Sequence, residues 1–325
     1  MKRLPTRRSV LVAGAITVLG CGAVQAQEKG RILRLAILAG APRGAPQSGG
    51  VIDELGKAGF IEGRNLIVDW RLQGSPEQTA ASVAELVRLA PDVLLAAGTP
   101  GMAAAQAATR TIPILGVADD MVESGLVRSL ARPGGNLTGI SILASELDGK
   151  RQEILMELVP ASRHIAALAD PSTKGPAELE GLRSATAARG VELSIYPARG
   201  PEEIVAAIGA AQAAGATALN VLASRILDTN RKIILERSAA LRLPAIYQWP
   251  EMAEEGGLAA YGPRYTKMLR QLARQVLKVV RGAKPADLPV EQPTEFELVI
   301  NLKTASALGL TIPPSILARA DEVIE

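Results

Sequence analysis

Two hydrophobic periods alternate along this chain. Short, nearly unbroken apolar runs at 32–39, 93–97, 112–118, 137–142, 164–169, 191–196, 218–223, 245–248, 258–261 and 296–302 read as strands covered on both faces. The stretch 65–71 alternates Leu66, Val68 and Trp70 with polar neighbours and reads as an edge strand. Between these runs, apolar residues return every three or four positions. That spacing predicts helices over 51–58, 101–109, 122–130, 145–158, 178–188, 201–214, 228–241, 251–255, 264–281, 304–308 and 314–324. Ser75-Pro76-Glu77-Gln78 adds a helix start with an N-cap serine, Pro at the first helical position and Gln at the capping-box position. Ser145 is a second N-cap candidate. Strand and helix alternate twice in the same plan, which predicts two similar α/β lobes with parallel sheets rather than one large sheet.

In such sheets ligands bind beyond the carboxyl ends of the strands. The strand 93–97 ends in Gly98-Thr99-Pro100, and the strand 112–118 ends in Asp119-Asp120. Thr99 beside a helix N-terminus suits an anion, and Asp119 suits a cation. Together they fit a zwitterion such as an amino acid. The same residues also read simply as an N-cap and a turn former.

Composition narrows the chemistry. The chain holds one His and one Cys in 325 residues, so a Cys/His metal cluster or a Ser-His-Asp triad has little to draw on. His164 opens an apolar run and reads as a strand-edge residue. Neither GxGxxG nor GxxxxGK[ST] occurs, so the usual nucleotide fingerprints are missing and no cofactor is expected. The formal net charge of +3 comes from the first 26 residues, which carry Lys2, Arg3, Arg7 and Arg8 and no acid. The remainder has 32 basic against 33 acidic residues, with no clustered basic footprint for nucleic acid.

That basic start, the apolar run 10–20 and the small-residue site Val24-Gln25-Ala26 predict a signal peptide over 1–26. Thr6-Arg7-Arg8-Ser9 also fits a twin-arginine signal. Cys21, after Val18-Leu19-Gly20, leaves a lipoprotein open beside cleavage after Ala26. Export to the periplasm is the expectation in each case.

The tail GAKPADLPVEQPTEFELVINLKTASALGLTIPPSILARADEVIE resembles the C-terminal signature of the ABC-transporter substrate-binding protein family that includes tryptophan/tyrosine-type members. The segments PDVLLAAGTPGMAAAQAATRTIPILGV, GLVRSLARPGGNLTGIS and LPAIYQWPEMAEEGGLAAYG resemble it too. The resemblance implies a type I periplasmic binding-protein fold: two Rossmann-like lobes joined by a three-crossing hinge. Mapped here, lobe one would be 32–141 plus 264–281, and lobe two 142–262 plus 286–325. The crossings would fall near 139–142, 261–263 and 282–293. The resemblance places the loop after the first strand, Gly98, Thr99 and Asp119 on one side of the cleft. It places Asp170, Ser172, Ser224, Arg225 and the turn holding Tyr247 and Trp249 on the other. Tyr247 and Trp249 could stack on a ligand or simply pack. Two stretches depart from the family pattern: GAPRGAPQSGG after the first strand, and Ala223-Ser224-Arg225.

The function implied is binding, not catalysis. A small solute, an amino acid or related carboxylate, would be handed to an inner-membrane ABC permease and its ATPase by a monomeric receptor. A periplasmic sensor signalling to a membrane receptor is the alternative.

Overall fold

In the computed structural model, residues 32–44, 49–142 and 144–325 are described, the side chains of Ala144 and Ser145 excepted. The Ser145 cap and the leader lie outside that set.

The first sheet comprises β1 (Leu33–Ala39), β2 (Leu66–Leu72), β3 (Val93–Ala97), β4 (Ile114–Ala118) and β5 (Leu137–Ser141), all parallel, in the order β2-β1-β3-β4-β5. Strands β1, β3 and β5 are buried almost throughout, as the unbroken apolar runs require. The alternating segment is β2, at the edge. Helices α1 (Gly50–Lys57), α2 (Pro76–Arg88) and α3 (Gly98–Ala108) connect these strands. The α2 capping box forms in full: Ser75 Oγ accepts from Gln78 N, and the Gln78 side chain accepts from Ser75 N at 2.9 Å. Ser75→Ala should lower stability by about 1 kcal/mol, read as a lower urea midpoint at unchanged slope.

The chain then passes through α4 (Ala144–Leu158) into a second sheet. Its strands are β6 (His164–Ala169), β7 (Glu192–Pro197), β8 (Ala218–Val221), β9 (Ala245–Tyr247), β10 (Ala259–Gly262), β11 (Glu297–Asn301) and β12 (Glu322–Ile324), in the order β12-β11-β10-β9-β8-β6-β7. Only the β10–β11 pair is antiparallel. The intervening helices are α5 (Pro176–Ala187), α6 (Pro201–Ala213), α7 (Arg225–Thr229), α8 (Arg231–Ala240), α9 (Pro250–Glu254), α10 (Tyr265–Val280), α11 (Leu302–Leu308) and α12 (Pro314–Leu317). The strongly amphipathic α10 returns to the first sheet. It buries Met268, Leu269, Leu272 and Val276 and packs on α1. On its basic face Lys267 pairs with Glu295, Arg270 with Glu54 and Lys278 with Glu291.

Three local expectations change. Residues 122–130 form turns, not a helix. The Asp120 carboxylate takes the amides of Val122 and Glu123, and Gly125 turns left-handed at φ +72°. The expected helix 228–241 is split into α7 and α8 at Asn230, with Ser224 capping the first piece. The expected closing helix 314–324 stops at Leu317, because Asp321 clips onto Leu298 through both its amide and its carboxylate, which lays β12 along β11. Residues 285–291, at the third expected crossing, run beside β5: Glu291 exchanges backbone bonds with Gly139 and Ser141.

Candidate functional site

Each sheet has a place where the strand order reverses, and an open α/β sheet leaves its crevice there. In the first sheet this is between β1 and β3, whose ends are Ala39-Gly40 and Ala97-Gly98. In the second it is between β6 and β8, followed by Asp170 and by Leu222-Ala223-Ser224. A cavity of about 780 Å³ lies between the sheets and takes its lining from both. Its walls are mainly apolar and aromatic: Ile37, Trp70 and Leu95 from the first sheet, Trp249 from the second, and Tyr265 and Leu269 from α10. Trp249 meets Tyr265 edge-on, with ring centroids 5.2 Å apart at 78°.

Five residues singled out in the sequence line this cavity: Gly98, Asp119, Ser224, Arg225 and Trp249. Four do not. Thr99 is the second residue of α3, behind Gly98, and the capping position is Ala97. Asp170 is buried and spent within the chain. It accepts from Ser172 N at 2.9 Å, Ser172 Oγ at 2.6 Å and Ser224 Oγ at 2.7 Å. Those bonds also occupy Ser172. Tyr247 is buried with its ring against Gly257, and burial pushes its hydroxyl up to about 12.

The charged groups of the site are arranged in pairs. Arg225 Nη1 donates to Asp228 at 2.8 Å, and Arg231 pairs with Glu255 at 2.8 Å. Burial pushes the Asp228 carboxyl up against the pull of Arg225 and Arg231. Asp119 is different: no partner for its carboxylate appears among the described contacts. Burial raises it to about 6; Lys174 opposes the rise, while Asp148, Asp170 and Glu178 add to it. Three N–H donors on the wall are buried without a partner among the described residues: the indoles of Trp70 and Trp249 and Nε of Arg225.

Behind the Ser224-Arg225 turn lies a buried ionic network that the sequence did not reveal. Asp148 accepts from Arg151 and from Ala223 N (2.9 Å), and pairs with Lys174 Nζ at 2.6 Å. Lys174 also reaches Glu178 at 3.1 Å. Arg151, fully buried, donates its second arm to Tyr261 O at 2.9 Å, where the chain leaves β10 for α10. Its only trace in the sequence is an Asp-x-x-Arg spacing, which on most helices marks a solvated face. Trp70, Asp228 and Tyr265 were also missed as wall residues.

Two sheets, their switch points facing one cavity, and three chain crossings between them make this a type I periplasmic binding-protein fold. A family model described as ABC transporter substrate binding protein matches residues 37–324. The chain belongs to that family, whose members bind a solute and work with an ABC permease. Among curated relatives, a "Tyrosine-binding protein" of Clostridioides difficile (strain R20291) is 28% identical over 264 residues, covering 80% of this chain and 76% of that protein. Among solved structures, a conserved domain protein from Vibrio cholerae O1 biovar El Tor is 28% identical with a TM-score of 0.81, covering 90% of this chain and all of that one. An ABC domain in complex with L-Trp from Streptococcus pneumonia has a TM-score of 0.80 at 24% identity, covering 90% of this chain and 99% of that one. Among the described residues no helix is long and apolar enough to cross a membrane.

Proposed function

We propose that this protein is the extracytoplasmic solute receptor of an ABC importer and that its solute is an amino acid or a closely related small carboxylate. The observation that carries the reading is that one apolar and aromatic cavity is lined by the Asp119 carboxylate from the side of the first sheet, by Arg225 from the side of the second, and by two unpartnered indole donors. The indoles take the carboxylate, beside the positive charge of Arg225, whose guanidinium stays with Asp228. That role falls to them rather than to Thr99, which lies off the wall. Asp119 takes the ammonium, and the aromatic walls take the side chain. The 28% identical tyrosine-binding relative supports the same class of solute. The leader 1–26 supports delivery to the periplasm. The lobes in this reading are 32–141 with α10, and 142–262 with the C-terminal segment. Solute that binds the closed arrangement better than an open one shifts the population to it.

A thermal-shift screen of amino acids and small carboxylates tests this. A solute at about 100 times its Kd adds about 2.7 kcal/mol, a rise of several degrees in Tm. No rise with any amino acid or carboxylate would overturn the assignment.

A further inference from the structure

We infer that Arg225 is a latch that holds the two halves together, and that Gly40 and Gly98 are its seat. The seat is the switch point of the first sheet, where β1 and β3 end. Arg225 follows Ser224, which is tied to Asp170 at the switch point of the second sheet. One side chain therefore spans the cavity from one crevice to the other.

The fit depends on the absence of side chains. A Cβ built on Gly40 would lie 2.0 Å from Arg225 Nη2, 2.2 Å from Nε and 2.4 Å from Cζ, so the guanidinium lies directly on the Gly40 backbone. The aliphatic stem of Arg225 covers Gly98, whose Cβ would meet Arg225 Cβ and Cγ at 3.4 Å. Asp228 fixes the guanidinium from its own helix at 2.8 Å, and the Tyr265 hydroxyl touches it from α10. Thr229 Oγ1 adds a long contact to Gly40 O at 3.4 Å. A flat, delocalised cation can lie on a bare backbone in this way, whereas a lysine ammonium cannot. Gly40 opens the Gly/Pro-rich stretch that departs from the family pattern, and Arg225 lies in the other departing turn.

Gly40 is the clean probe. Its φ lies outside the left-handed region, so alanine fits the backbone, and the atoms nearest its Cβ are the movable end of Arg225. Gly98 has φ +70°, so alanine there would add backbone strain of its own.

The experiment is small-angle X-ray scattering of the purified protein without added solute, for wild type, Gly40→Ala, Arg225→Ala and the double variant. Gly56→Ala is the control, because a Cβ there meets nothing within 4 Å. Wild type and Gly56→Ala should scatter alike, as a mixture in which the latch holds part of the population closed before any solute shifts the rest. Gly40→Ala and Arg225→Ala should each shift to a larger radius of gyration, with the melting temperature of Gly40→Ala little changed. The double variant should equal the Arg225→Ala single, because the alanine then has nothing left to displace. An unshifted Gly40→Ala, or additive shifts in the double variant, would overturn the latch. The latch rests on the proposed binding role only for its purpose. Because no solute is present, a failed ligand screen would remove the amino-acid assignment and leave this result standing.

Discussion

Asp148→Ala should destabilise the protein by about 3–5 kcal/mol, among the largest single-residue effects in the chain. Asp148 faces two buried cations at once, Arg151 and Lys174. Burial alone would lower the Lys174 ammonium. The charges of Asp148 and Glu178 and the hydrogen bond that Lys174 donates to Asp148 outweigh it and hold its pKa above the ordinary lysine value. Without the carboxylate, Arg151 keeps only Tyr261 O among its described bonds, and Lys174 keeps Glu178. Stranded buried charge costs more than the pair itself is worth. A second effect follows from Ala223 N, which donates to Asp148 Oδ1 at 2.9 Å. Its release loosens the turn that carries Ser224 and Arg225. Urea unfolding should show the midpoint fall at unchanged slope, and solute affinity should fall with it. A midpoint shift below about 1 kcal/mol would show that the network is not a structural centre.

Why the sequence reveals some of this and not the rest follows from which forces are local. Strands such as β3 and β5 are buried on both faces, so their apolar runs carry the signal without help from distant residues. The α2 start is read from four consecutive residues, because a cap is made within one turn. The segment 122–130 has helical spacing, yet Asp120 takes the first free amides and Gly125 ends the turn. Residues 322–324 become strand because Leu298 holds Asp321, a partner 23 positions away that no local window contains. The site divides the same way. Asp119 and Gly98 follow strand ends, where chain order predicts a crevice. Trp70 alternates with polar neighbours on a stretch that reads as an edge strand, but nothing local says that it reaches a cavity. Thr99 shows the limit of the argument: its position beside a helix start was legible, and its place behind Gly98 was not. Arg225 acquires its meaning only from glycines more than a hundred residues earlier.

Asp119→Asn should raise stability near pH 7 and abolish binding of any amino acid, two effects of opposite sign from one change. The folded carboxyl sits at about 6 against an ordinary 3.8, chiefly because it is buried. A raised carboxyl pKa means that the folded state holds its proton more tightly than the unfolded chain does. This group therefore adds stability as pH falls from about 7 to 4, and costs stability above 6, where it is ionised in both states. At 1.36 kcal/mol per pKa unit the cost is about 3 kcal/mol, an upper bound because the cavity reaches the side chain. Asparagine removes the charge, so its urea midpoint should exceed wild type at pH 7 and approach it at pH 4. Binding runs the other way. An ammonium beside Asp119 favours the ionised carboxylate, so solute uptake near pH 6 releases a proton. Affinity for an amino acid should then fall about tenfold per pH unit below 6, while affinity for the same carboxylate without its amino group should not. Calorimetry in two buffers of different ionisation enthalpy reads the released proton directly. If the two solutes show the same pH dependence, Asp119 does not meet the ammonium. A variant with wild-type affinity would place Asp119 outside the solute's reach.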